Sequence, residues 1–192
     1  MFLSADTRED VWTDKGEPPE KAHYNDLMLA LRYAYVLALV VWLGGMVVLG
    51  ALVAPTTFQV LQAAAPDTGR ALAGELFGVL LARFHYVAYG TGAVLFLTLA
   101  AMAILGPRPA AFAIRLGIIT VMLAVTVYSG VSVIREITGI QRAVGALPSS
   151  LPFSDPRRLR FDYLHQLATR LMTFNIVAAL ALLYWEAREH IR

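Results

Sequence analysis

Four stretches of this chain carry no acidic or basic side chain: Tyr33 to Gln62, Phe84 as far as Arg108, Leu116 to Ile134 and Leu171 to Trp185. An α-helix rises about 1.5 Å per residue, so about 20 apolar residues cross a hydrocarbon core of roughly 30 Å. The first three stretches are long enough to span as helices. The fourth reaches across only by drawing on the turns before Leu171, which obliges Arg170 to snorkel or to find a partner. Composition agrees, with 58% hydrophobic and only 16% charged residues over 192, against roughly a quarter charged in soluble domains. Mean hydropathy is +0.60. The expected fold class is all-α integral membrane, a four-helix transmembrane bundle running up-down-up-down with the lipid bilayer as its partner.

The expected organisation is an N-terminal tail over 1–27, a four-helix domain over 28–188 and a short C-terminal tail over 189–192. The tail is charged and holds Pro18 and Pro19, which suits a flexible segment with at most a short surface helix around Trp12. It lacks the basic and apolar regions of a cleavable signal peptide, so it is expected to persist. Helix 1 is expected over about 28–54, helix 2 up to Leu105, helix 3 over about 110–137 and helix 4 over about 161–188. Pro55 is expected to end or kink helix 1, with Asp67 or Thr68 as the cap of helix 2. "GPRPA" reads as a tight hairpin between helices 2 and 3. Asp155 followed by Pro156 makes an N-cap and first-turn pair for helix 4.

Small residues, among them Gly44, Gly45, Gly50, Gly92 and Gly117, suit close helix approach. Tyr33, Tyr35, Tyr184 and Trp185 suit the interfacial belts, and Trp42, mid-helix, is expected to pack inside. Basic residues divide evenly between the two sides of such a bundle. The tight hairpin with Arg108 and Arg115, and Arg32 and Arg188 at helix ends, tip the expectation toward cytoplasmic termini, and the lack of a signal peptide favours a bacterial plasma membrane.

Several chemistries are excluded. There is no cysteine, hence no thiolate site, disulfide or cysteine nucleophile. A net charge of +2 from 16 basic and 14 acidic residues is too even to suggest nucleic-acid binding. No phosphate loop, serine elbow or metalloprotease motif occurs.

One end of the expected bundle is polar. Helices 2 and 4 both start on the long-loop face, which puts His85 and His165 at similar depth, together with Arg83, Arg170, Glu75, Glu136 and Asp162. Glu136 or Asp162 is placed to neutralise Arg83 or Arg170. Charge this close to hydrocarbon marks a candidate site. Neutral imidazole is a common transition-metal and haem ligand. The candidate cofactor-binding residues are therefore His85, His165, Arg83 and Arg170, the arginines meeting haem propionates. The candidate metal ligands are His85, His165 and Met172, the last two helical turns beyond His165 and on nearly its face. The alternative is structural: histidines as interfacial hydrogen-bonding residues and arginines as anchors. Asn175, with Thr98, Thr120, Thr126, Tyr128 and Ser129, is expected to hydrogen-bond between helices.

Trp42-Leu43-Gly44-Gly45, the helix exit Ala54-Pro55 followed by Phe58, Ala73-Gly74 with Leu76-Phe77, and Phe161 with Leu164-His165 resemble, in order and spacing, the four-helix membrane family named after transmembrane protein 205. The similarity covers about 29–188. It implies a four-helix membrane bundle with no established reaction. That family often carries a serine and then an asparagine after the histidine, where Ala168 and Met172 stand here. The tryptophan and paired glycines also look like those of copper resistance protein D, and the helical plan is similar to that of a haem-binding protoporphyrinogen oxidase. Both likenesses imply that His85 and His165 hold metal or haem.

The expected function is that of an uncharacterised, non-enzymatic integral membrane protein. It would stand alone, self-associate or serve as an accessory subunit among other membrane subunits. Haem or copper binding through the histidine pair is the alternative, and a small transporter comes last because the spans lack deep charge and helix breaks.

Overall fold

The structure is a computed structural model that describes residues 19–145 and 148–189, with side chains over 23–145 and 148–188. The expected surface helix around Trp12 and residues 190–192 lie outside the described residues. Helix α1 (Pro19–Val48) passes through a π-helical turn (Leu49–Val53) directly into α2 (Ala54–Ala64). Helix α3 (Gly69–Leu105) follows. Helix α4 (Phe112–Tyr128) then passes through a second π-helical turn (Ser129–Val133) into α5 (Ile134–Val144), and α6 (Pro156–Glu189) closes the chain. No strand occurs among the described residues. Four continuous helical rods of 42, 37, 33 and 33 residues are long and apolar enough to cross a membrane.

Three expectations about boundaries are corrected. Residues 19–27 are helical and run without a break into α1, ahead of the start expected at about residue 28. Pro55 does not end helix 1. It lies at the start of α2, immediately after the π-helical turn, whose wider hydrogen-bond ring relieves the clash a proline ring makes in a regular α-helix. The third rod runs on past residue 137 to Val144, where Gly145 at φ 64° adopts the left-handed cap and donates its N–H to the Gln141 carbonyl at 3.1 Å.

Other local signals act as expected. Gly106 follows the end of α3 with its N–H on the Met102 carbonyl at 3.1 Å. Asp155 Oδ1 accepts from the Arg157 N–H at 2.8 Å, capping α6 with Pro156 in its first turn. At the corner between α2 and α3, a Cβ on Gly69 would collide with the Leu61 carbonyl, so only glycine lets α3 start there.

Neighbouring rods touch in opposite order. Gly92 of α3 receives the Leu123 side chain of α4, and Gly130 receives the His85 ring of α3. Arg115, Thr126 and Glu136 on the third rod meet Glu186, Asn175 and Arg160 of α6 in turn. The core between them holds Leu39, Trp42, Leu95, Leu99, Ile119, Met122 and Leu182, all at most 1% exposed. Trp42 is thus interior as expected. Gly45 and Gly92 are approach points, closed on by Phe84 and by Leu123 with Trp42, whereas a Cβ on Gly44 or Gly117 would meet nothing within 4 Å. Tyr35, expected in the aromatic belt, is wholly buried, with the Arg115 guanidinium 4.8 Å from its ring centroid.

Candidate functional site

A cavity of about 600 Å³ opens among α1, α2, α3, α5 and α6 toward the long-loop end of the bundle. That size is ordinary for a small-molecule site, roughly 300–1,000 Å³. Trp42, Phe58, Phe77, Phe84, Phe161 and Met172 give it an apolar wall, and both π-helical turns border it through Leu49 and Ser129. Such turns recur at functional sites because they displace one helical turn and re-aim its side chains.

His85 sits in this wall and is nine-tenths buried. Its Nδ1 lies 2.8 Å from the Leu81 carbonyl oxygen. A carbonyl only accepts, so Nδ1 carries the hydrogen and Nε2 of the neutral ring is left as an acceptor. The ring packs on Gly130, where a Cβ would lie 2.6 Å from His85 Cδ2, and meets the Tyr89 ring edge-on at 6.1 Å. On the far side of His85 a second hollow of about 910 Å³ lies between α3 and α5, so the imidazole forms part of both walls.

Asn175 enters the cavity wall from α6. Its Nδ2 donates to Thr126 Oγ1 at 3.0 Å, while the Thr126 hydroxyl donates to the Met122 carbonyl at 2.8 Å. Because that carbonyl can only accept, the order of donors is fixed, and Asn175 must present its NH₂ to Thr126. Its Oδ1 is buried and has no partner among the described residues. The expected interhelical bond of Asn175 is therefore made to Thr126. Thr98 and Thr120 instead donate to carbonyls of their own helices, those of Val94 and Leu116.

His165 also lines the cavity, as does Met172. The His165 ring is exposed and stacks on Phe161 with centroids 6.1 Å apart. It precedes Asn175 by ten residues, about 15 Å along α6, whereas His85 packs on Gly130, about 6 Å along the third rod from Thr126. The histidines thus flank one cavity at different depths, His165 nearer the mouth, where Arg70, Gln141 and Asp162 also lie.

Arg83 and Arg170 are exposed, line neither hollow and make no ion pair among the described residues. Glu136 pairs with Arg160 at 2.6 and 2.9 Å, and Asp162 lies 3.8 Å from Arg158, so neither neutralises the arginines expected. Arg158 also donates to the Leu151 carbonyl at 2.6 Å and covers the Phe153 ring. Outside the rods, the Arg157 guanidinium beside Asp155 holds that carboxyl below the usual aspartate value, helped by the Arg157 backbone N–H. Among the described residues no group of three histidine, aspartate or glutamate side chains is placed to hold a metal ion.

At the opposite end sequence reasoning missed the principal charged cluster. Glu186, 4% exposed, takes Arg115 on one carboxylate oxygen and Arg32 on the other, both at 2.5 Å. Arg115 is fully buried. The available signal was a carboxylate and an arginine each bordering an apolar run. Nothing local says that they meet.

Compared with known proteins, residues 37–145 match the family described as Domain of unknown function (DUF4149), and the chain belongs to that family. The match includes His85 and both π-helical turns, and ends before α6, which brings His165 and Asn175. No curated protein and no solved structure matches the chain.

Proposed function

We propose that this member of the DUF4149 family is a non-enzymatic integral membrane protein of the bacterial plasma membrane. It crosses the bilayer up-down-up-down with cytoplasmic termini and works by binding a small, mainly apolar molecule in the cavity at its long-loop end. The four apolar rods support the membrane assignment, and the likeness to the transmembrane protein 205 family supports the four-helix plan. The observation that carries the binding role is the roughly 600 Å³ cavity, aromatic on most sides yet bordered by His85 and Asn175. Burying such polar groups in an apolar lining costs stability that a hydrogen-bonding partner in the cavity offsets. Such a protein serves as a stand-alone or self-associating carrier, or as an accessory subunit presenting its ligand to other membrane subunits.

The test is native mass spectrometry of the protein released from mild detergent. Wild type retains a small-molecule adduct. An Ala168→Trp variant, which plants a large ring in the cavity wall, loses it while remaining monodisperse. Wild type that carries no adduct and takes up no lipid-soluble probe on titration overturns the reading.

A second reading, haem or copper binding, is favoured by one arrangement: His85 and His165 face a common cavity with Met172, and His85 keeps Nε2 available because Nδ1 is held by Leu81. The pair and the thioether suit copper better than haem, since Arg83 and Arg170 lie outside the cavity and cannot meet propionates there. The visible spectrum and metal content of wild type beside a His85→Ala, His165→Ala double variant decide it. A colourless wild type that takes up neither haem nor copper ends this reading.

A further inference from the structure

We infer that the inner part of the cavity is a hydrogen-bond-acceptor subsite, built by His85 and Asn175, that selects lipid-soluble molecules carrying a hydroxyl head. The inference rests on the binding role above and names its ligand class.

His85 spends its N–H on the Leu81 carbonyl, leaving Nε2 as an acceptor. Asn175 spends its NH₂ on Thr126, leaving Oδ1 without a partner. The three threonines of the same wall give their hydroxyl protons to carbonyls one turn back: Thr126 to Met122, Thr138 to Ile134 and Thr169 to His165, at 2.8, 2.8 and 3.0 Å. Each then offers only lone pairs. Ser129 is a rotor able to play either part. The donors that remain are Arg70, Gln141 and a ring N–H of His165 at the mouth, and the indole N–H of Trp42 on the opposite part of the lining.

Two acceptors side by side in an apolar lining discriminate by chemistry. Placed at His85 and Asn175, an ether, ketone or ester brings more acceptors and leaves both sides unsatisfied. A hydrocarbon leaves Asn175 Oδ1 as it is. An alcohol or phenol brings the missing proton, and its body lies against Trp42, Phe84 and Phe161. A buried acceptor without a partner costs more than a made bond gains, so supplying the donor is worth more than one ordinary hydrogen bond. A metal ion is a poorer fit here, since no third ionisable ligand joins the set among the described residues. Oδ1 itself is closed off, so a ligand head reaches it as the soft side chains of that wall, Met172 among them, re-pack at low cost.

The test compares 4-nonylphenol with 4-nonylanisole, two molecules that differ in the proton of the head. Binding is read from Trp42 quenching in full-length protein in nanodiscs, in a background where Trp12 and Trp185 are replaced by Phe. The phenol is expected to bind about tenfold more tightly than its methyl ether. Asn175→Leu and His85→Phe are each expected to narrow that ratio, and together to bring it close to one, with affinity for the ether kept. Retained ether affinity shows that the variant cavities are intact. Equal binding of phenol and ether by wild type overturns the subsite and leaves the cavity's binding role standing. Absence of binding by either probe overturns both. A phenol preference that survives the double variant overturns the assignment to His85 and Asn175.

Discussion

At the hairpin end of the bundle, Glu186 sits between Arg115 and Arg32, and Arg115 covers Tyr35 inside a core of leucines. At the long-loop end, His85, Asn175 and His165 stand round a cavity, Glu136 pairs with Arg160 outside it, and Asp162 pairs with Arg158 at its mouth. Both ends bury polar side chains in an apolar bundle. The difference lies in saturation. A carboxylate shared by two guanidiniums spends its lone pairs on the protein itself, so removing one member strands the others. Acceptors left without a partner beside a hollow spend nothing, so they are available to something else. Buried charge by itself therefore marks no function; the unspent half of a hydrogen-bonding group is the more telling sign.

The contrast breaks most readily at Glu186. Replacing it with Gln leaves Arg115 fully buried without its counter-charge, an expected loss of about 3–5 kcal/mol. The readout is the unfolding midpoint in detergent. A Glu186→Gln protein as stable as wild type would mean that the closed end is held by apolar packing alone. Next in size is Gly92→Ala, where the new methyl meets Leu123 and Trp42; overpacking is expected to cost about 1–3 kcal/mol. Gly78→Ala is its counterpart at the open end. A Cβ there meets nothing within 4 Å, and the helix gains up to about 1 kcal/mol from losing a glycine.

Ala168→Leu sharpens the contrast further. It fills part of the cavity, so stability is expected to change by under about 1 kcal/mol while probe affinity falls at least about tenfold. A large stability loss at Ala168 would show the cavity to be packed tightly after all. The smallest effect concerns pH. Asp155 has its carboxyl lowered in the folded state by Arg157, so its stabilisation is present above the ordinary aspartate value of 3.8 and is lost as pH falls below it. Asp155→Asn is expected to flatten that acid limb of the unfolding curve by lowering the neutral midpoint slightly, and to leave the midpoint in strong acid unchanged.

The four rods are legible in the sequence because uncharged length is a one-dimensional property, and so are the caps at Gly106 and Asp155, which are local. The cavity is half legible. His165 and Met172 are seven apart, about one helical face, and both line it. Arg83 is two residues from His85, about 200° round the helix, and Arg170 is five from His165, about 140°. Depth alone suggested four residues round one site, whereas angle separates the arginines from the histidines, and the structure follows angle. The Arg115–Glu186 pair was out of reach because its partners are 71 residues apart and carry no shared local pattern. The π-helical turns were missed because Pro55 reads as a breaker in α-helical terms, and Ser129–Val133 has no breaker at all.

Those two turns bear on how the chain tolerates changes in length. A π-helical turn holds one residue more than the α-helix needs, so deleting one residue within Leu49–Val53 or Ser129–Val133 restores an unbroken α-helix instead of disrupting one. Little moves beyond the deletion, because five π-helical residues and four α-helical ones each carry the chain through about one turn. The cost falls on the turn itself, where Leu49 and Ser129 border the cavity. A shortened chain would keep its rods and lose the widening at those two points, which ties the extra residue in each helix to the hollow rather than to the fold.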